Sequence, residues 1–219
     1  QPPGTAAPSR VVFVNGYFRA DLSQCAGLAR GVAVRSLAEV MDAGPDVGVG
    51  RAFDPAGGAG ESFAALNEAL LEDGLLIDVA RGARMDDILH VVFVATNGEP
   101  LLRSVRLVVR MAENTSLRLL EEYVGQNEDR GLTNIVTDIE LAAGAILHHH
   151  RVQNEAVTAA HIGRVQVRQL DHSEYHSDSV VFGGALTRVD IETRLAATGA
   201  RCRLHGLFTA SGNQHVDHH

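Results

Sequence analysis

The chain has no tryptophan, only two cysteines among its 219 residues, and few aromatic side chains of any kind. Cys25 and Cys202 are too few and too far apart in sequence for a disulfide framework or a four-thiolate metal site. A reducing, cytoplasmic compartment is the expectation. No apolar stretch approaches the ~20 residues needed to cross a bilayer. The opening QPPGTAAPSR lacks the charged and apolar regions of a signal peptide. Basic residues are also in deficit: 19 Lys and Arg against 27 Asp and Glu leave a net charge of −8. Without clustered cations there is no electrostatic footprint for nucleic acid or an anionic membrane. The Gly-x-Ser-x-Gly elbow, the P-loop, the Rossmann fingerprint and His-Glu-x-x-His are all missing. Nucleophilic, nucleotide and zinc-hydrolase chemistry therefore lack a starting point.

What remains is rich in Gly, Ala, Val and Leu, which suits many short strands and tight turns. Residues 1–9 carry three prolines and read as a disordered lead-in, with residues 10–219 forming a single core domain. VVFVNGYF (Val11 to Phe18) reads as a strand containing an Asn-Gly turn, and Pro45 to Gly60 as a Gly-rich loop. Residues 22–41 fit no pattern firmly. A helix is predicted from about Phe63 to Glu72, with Ser62 as N-cap, Gly74 as its stop, and Phe63, Leu66, Ala69 and Leu70 on one face.

From Gly74 onward the apolar period changes to two. Val105, Leu107 and Val109 alternate with Arg106, Val108 and Arg110; Val165 and Val167 alternate with Gln166 and Arg168. In LTRVDIETRL, Val189, Ile191 and Leu195 share one face. Turn signals recur at Gly82-Ala83, Asn114-Thr115, Gly144-Ala145, Asp171-His172 and Gly199-Ala200, a spacing of about 27 to 32 residues that falls in the range of stacked repeats. Each repeat holds two strand-like runs, and such a pair cannot bury its apolar face alone. Stacking gives each inner Val, Leu or Ile a neighbour above and below. The fold class expected is all-β, a right-handed parallel β-helix (solenoid) with a short N-terminal α/β lead-in. The competing solution is an antiparallel jelly roll of the cupin kind, which periodicity alone does not exclude.

Several segments in order are similar to one family. SFAALNEALLEDGLLIDVARG from Ser62, ILHVVFVATNGEP, NTSLRLLEEYVG, TNIVTDIELAAGAILHHHRVQNE, AAHIG, SVVFGGALTRVDIETRL, GARCRLHGLF and QHVDHH resemble the SufB/SufD proteins of iron–sulfur cluster assembly, on the SufD side. The resemblance covers Ser62 to His219 well and Arg10 to Met41 more weakly. It implies a non-catalytic scaffold that pairs with a SufB-like subunit and a SufC-like ATPase. It implies no tightly bound cofactor, with an iron–sulfur cluster only in the full complex. The family's N-terminal helical region and its C-terminal ATPase-docking region are expected to be absent from this chain. An uncapped end of the coil is expected to favour self-association.

Eleven histidines are the oddity of the composition. In a strand, His148 and His150 share a face while His149 points the other way, so the run offers two convergent rings at most. Rings that stack along the solenoid or bond across it, as candidate interface residues, are the favoured reading. His215, His218 and His219, with Asp217 beside them, form the better metal candidate, because His-x-x-His supplies two ligands and a carboxylate can orient one ring. A cupin-like metal-dependent enzyme would use this His-Val-Asp-His-His segment. A structural or interface role is preferred. Cys202 shares a face with Leu204, which favours an inert inward thiol; exposed beside Arg201 and Arg203 it would instead suit persulfide or cluster chemistry. Cys25 is given no role. His161, Gly163, His172, Glu174 and His176 allow an acid–base set that nothing else supports. Gly183-Gly184 reads as a tight bend between coils rather than a phosphate cradle.

Overall fold

The computed structural model describes residues 9–42, 61–96, 100–126 and 128–219. The proline-rich residues 1–8 and the Gly-rich loop expected at 45–60 lie outside the described residues. Ser9 opens the first strand and is buried.

The amino-terminal part contains β1 (Ser9–Val14), β2 (Tyr17–Phe18), β3 (Val32–Ser36), α1 (Leu37–Asp42) and α2 (Glu61–Ala69). Val11 to Phe18 forms the expected hairpin: Asn15 and Gly16 both take positive φ, of 53° and 94°, and β1 pairs antiparallel with β2. Strands then alternate between two sheets: β4 (Asp73–Val79), β5 (Arg84–Ala95), β6 (Leu102–Met111), β7 (Ser116–Gly125), β8 (Leu132–Leu141), β9 (Ile146–Asn154), β10 (Ala160–Gln169), β11 (Glu174–Val181), β12 (Leu186–Leu195), β13 (Arg201–Phe208) and β14 (His215–His218). One sheet runs β13-β11-β9-β7-β5-β1-β2, the other β14-β12-β10-β8-β6-β4-β3. Every pairing from β4 and β5 onward is parallel, and partners are one coil apart along the chain, as in Asp73 with Val105 and Ala160 with Leu186. The molecule is a parallel β-solenoid of about five turns. The antiparallel jelly roll is thereby ruled out. Two antiparallel strands, β2 and β3, close the amino-terminal rim.

The turn residues explain the period. Gly82, Asn114, Gly144, His172 and Gly199 all adopt left-handed φ, between 53° and 73°. Their amides bond coil to coil: Gly82 N to Glu113 O, Asn114 N to Ala143 O, Gly144 N to Asp171 O and His172 N to Thr198 O, all at 2.9 Å. The same corner is thus built repeatedly, and the strands after it enter in register.

The alternation places Val105, Leu107 and Val109 inside and sends Arg106 and Val108 outward, where Val108 clusters with Leu76 of β4 beneath Leu37 and Val40 of α1. Each fully buried Leu, Ile or Val in the coil interior contributes about 1.5–3 kcal/mol. Rings stack through the interior as well: Phe13 on Phe93 at 5.2 Å and Phe93 on Tyr123 at 4.8 Å, following the register of β1, β5 and β7. Leu195 departs from its expected buried face and is 51% exposed, because no further strand lies over the carboxyl-terminal half of β12.

The helix differs from expectation. It spans Glu61–Ala69, so Ser62 lies within it rather than capping it. Phe63 and Leu70 face solvent; the buried side chain is Asn67, whose amide nitrogen donates to the Val105 and Asn134 carbonyls of two successive strands. Gly74 does not stop the helix. It sits in β4, where a Cβ would come within 2.1 Å of the Arg106 carbonyl oxygen on the next coil. The unassigned stretch supplies β3, paired antiparallel with β4, and α1.

Candidate functional site

The sequence candidates separate onto the two faces of the sheets. On β9, His148 and His150 point outward and His149 points into the coil, where it is fully buried. That burial removes His149 from the candidate interface. Outside, Arg118, His148, His176 and Arg203 stand in register on β7, β9, β11 and β13. The His148 and His176 rings are stacked at 4.8 Å and 11°. Burial, with His176 and Arg118 beside it, lowers the His148 pKa. One residue row further, Asp178 accepts from His150 Nδ1 at 3.1 Å and from His205 Nδ1 at 2.9 Å. The His205 hydrogen bond is the main reason its carboxyl sits below the usual carboxylate range, outweighing partial burial.

The His-Val-Asp-His-His segment does not converge. His218 pairs in register with Val189 and turns inward, whereas His215 and His219 are exposed on the other side. Asp217 is taken by Arg188 Nη1 at 2.9 Å rather than by an imidazole. No group of three or more His, Cys, Asp or Glu suited to a metal ion occurs among the described residues. The acid–base set is likewise divided. His161 lies inside the coil, His172 forms a left-handed corner, and Glu174 and His176 meet outside at 3.2 Å.

Cys202 is the register partner of Tyr175 and packs, half-buried, against the interior cluster. Burial pushes its thiol pKa up, and a contact with Thr193 only partly offsets this. Arg201 and Arg203 fall on the opposite face, and Arg201 pairs with Glu174 at 3.3 Å. The thiol therefore lacks the cationic setting that would activate it. Cys25 is exposed, and both cysteines are free. Gly183 packs so tightly on the preceding coil that a Cβ would fall 2.0 Å from the Glu155 carbonyl oxygen, and Gly184 has φ 86°. The pair serves chain packing.

The densest chemistry is a polar band inside the coil that sequence reasoning did not assemble. Glu121, fully buried on β7, accepts from Tyr123 through Oε2 and from Thr137 through Oε1 at 3.3 Å. His149 Nε2 lies 2.7 Å from the same Oε1, and its Nδ1 lies 3.0 Å from the Tyr175 hydroxyl. A second cluster follows: Glu155 meets His161 Nδ1 at 2.8 Å, Gln153 at 3.0 Å and the Thr133 hydroxyl. Burial opposes ionisation of both carboxyls, but the neighbouring imidazoles, together with the Arg151 charge and the Tyr123 hydroxyl at Glu121 and the Thr133 and Gln153 donors at Glu155, hold both below the ordinary carboxylate value. Burial raises Tyr175 to about 12 and Tyr123 well above the phenol norm. The available signal was parity: Leu117, Leu119, Glu121 and Tyr123 share one face of β7, and Leu147, His149, Arg151 and Gln153 one face of β9.

Two family models together match almost the whole chain. The model described as SUF system FeS cluster assembly, SufBD core domain, matches residues 93–219, and that of the SufBD protein N-terminal region matches residues 6–91. The chain is 24% identical to an iron–sulfur cluster assembly SufBD family protein of Synechocystis sp., over 98% of this chain and 49% of that protein. It is 26% identical to the chloroplastic protein ABCI7 of Arabidopsis thaliana, over 74% of this chain and 35% of the relative. It is 25% identical to the iron–sulfur cluster assembly protein SufD of Escherichia coli, over 72% and 38% respectively. The chain spans about half the length, or less, of these curated relatives.

Proposed function

The chain belongs to the SufBD family of SUF-system proteins, and from that premise we propose that it is a non-catalytic scaffold subunit for iron–sulfur cluster assembly. It pairs with a homologous SufB-like subunit and a SufC-like ATPase, and the cluster is cargo that forms only in that complex. Two free cysteines and a fold without a helix long and apolar enough to cross a membrane, among the described residues, agree with assembly in the cytoplasm.

One observation carries the scaffold reading. The side chains best equipped for acid–base work, Glu121, His149, Glu155 and His161, are sealed inside the coil at 5% exposure or less. There they hydrogen-bond one another instead of meeting a substrate. What the protein offers outside is repeated strand surface, including the His148 and His150 rows, which suits recognition of another protein. Co-expression of the protein with SufB-like and SufC-like partners tests this. A co-purifying complex that gains cluster absorbance on reconstitution is expected, and purification free of both partners overturns the proposal.

A further inference from the structure

His148 on β9 and His176 on β11 are register partners one coil apart on the outer face, and their rings lie 4.8 Å from each other. Both are partly buried yet open to solvent. Among the described residues neither ring nitrogen of His148 has a hydrogen-bond partner. His176 is held from one side only: Glu174 Oε2 lies 3.2 Å from its Nε2. When the ring is neutral and donates its Nε2 proton to that carboxylate, Nδ1 carries the free electron pair. A carboxylate bonded to one nitrogen of an imidazole is the arrangement that orients metal-binding histidines and raises their basicity.

The ring spacing is the informative quantity. With metal–nitrogen bonds of about 2.0–2.1 Å and an angle of about 90–110° at the ion, two coordinated imidazoles have ring centres about 4.5–5 Å apart. The parallel ladder fixes that spacing here, because register partners on neighbouring strands stand about 4.8 Å apart. The two planes, now 11° from parallel, reach a chelating orientation by turning about χ2, which leaves the backbone in place and the ring centres nearly so. His150 shares the face but is committed elsewhere, its Nδ1 3.1 Å from Asp178 Oδ2. Arg118 and Arg203 continue the row on either side; both are exposed, so their long stems carry the charge out into water. Glu174 and Asp178, flanking His176 along β11, supply negative charge next to the pair.

We propose that His148 and His176 together bind one divalent transition-metal ion of the copper, nickel and zinc class, with water completing its coordination. Two protein ligands make this an exchangeable surface site, in keeping with the absence of any group of three or more ligands among the described residues. The ion is not the cluster cargo of the scaffold reading, and no partner protein enters its test.

Copper(II) ions supply the probe. The untagged protein is titrated in a His215→Ala/His219→Ala background, which removes the exposed imidazoles of the last strand from competition. Micromolar binding is expected, with pulsed electron paramagnetic resonance showing two coordinated imidazoles on the ion. His148→Ala and His176→Ala should each weaken binding by roughly tenfold or more, while His150→Ala should change it by less than about twofold. A single-imidazole signal, or no bound copper, in the parent protein overturns the proposal whether or not the variants fold. Unchanged affinity in His148→Ala or His176→Ala, or a loss confined to His150→Ala, also overturns it.

Discussion

The first and third coils share one backbone and differ in what they enclose. Inside β4 and β5 the side chains are Leu75, Ile77, Leu89, Val91 and Phe93, all buried and all apolar. Inside β9 the corresponding positions are Leu147, His149, Arg151 and Gln153, and the register runs from Val91 through Glu121 to Arg151. A parallel coil is therefore indifferent to the chemistry of its lining, provided each inner side chain finds a partner on the rungs beside it. The apolar coil meets that condition with any neighbour of suitable shape. The polar coil meets it only with particular ones, so it gains specificity and becomes fragile to single changes.

The most severe test of this contrast is Glu121→Leu, which strands His149, Tyr123 and Thr137 without their acceptor. It is expected to cost about 3–5 kcal/mol in urea unfolding. Adding His149→Leu to it should cost far less than a second independent loss, and strict additivity would break the comparison. Next in size, Leu107→Ala in the apolar lining should cost about 3 kcal/mol through cavity formation, with no compensating second site among polar residues.

A smaller effect separates the regions by pH. Glu121 and Glu155 have folded-state pKa values below the ordinary one, so their contribution is present in full above about pH 4.3 and is lost as pH falls through the folded values. Acid should weaken the wild type over that window. The Glu121→Gln/Glu155→Gln double variant, though less stable at neutral pH, should show a flatter acid limb in urea midpoints measured from pH 7 to pH 3. Smallest of all, Arg168→Ala removes an exposed pair with Glu140 at 3.1 Å and should change stability by less than about 1 kcal/mol. A larger loss would show that the outer face contributes more than the interior contrast allows.

Much of the architecture was legible because it rests on short-range rules. Period-two alternation marks Val105, Leu107 and Val109, and the left-handed corners at Asn114, Gly144 and Gly199 announce themselves through residues that tolerate positive φ. The family resemblance read from the ordered segments agrees with the two family models. Gly74 misled because a glycine after a helical pattern signals termination, while here the constraint is a carbonyl on another coil. Asn67 was passed over for Phe63 and Leu70 because the helix lies on a sheet face where backbone carbonyls, not an apolar groove, await it. The interior network escaped for a related reason. Parity placed Glu121 and His149 on inner faces, but only the register between coils shows that they meet.

The stacked left-handed corners carry a consequence for how such a chain tolerates length changes. Because each corner amide, such as Asn114 N on Ala143 O, bonds the equivalent corner above or below, a whole turn excised cleanly leaves the remaining layers able to reseat on one another. A lone residue inserted within β9 has the opposite result: it would swap His149 with His148 or His150 and turn the lining inside out for the rest of that strand. Growth and shrinkage of this molecule are thus quantised in units of one complete winding.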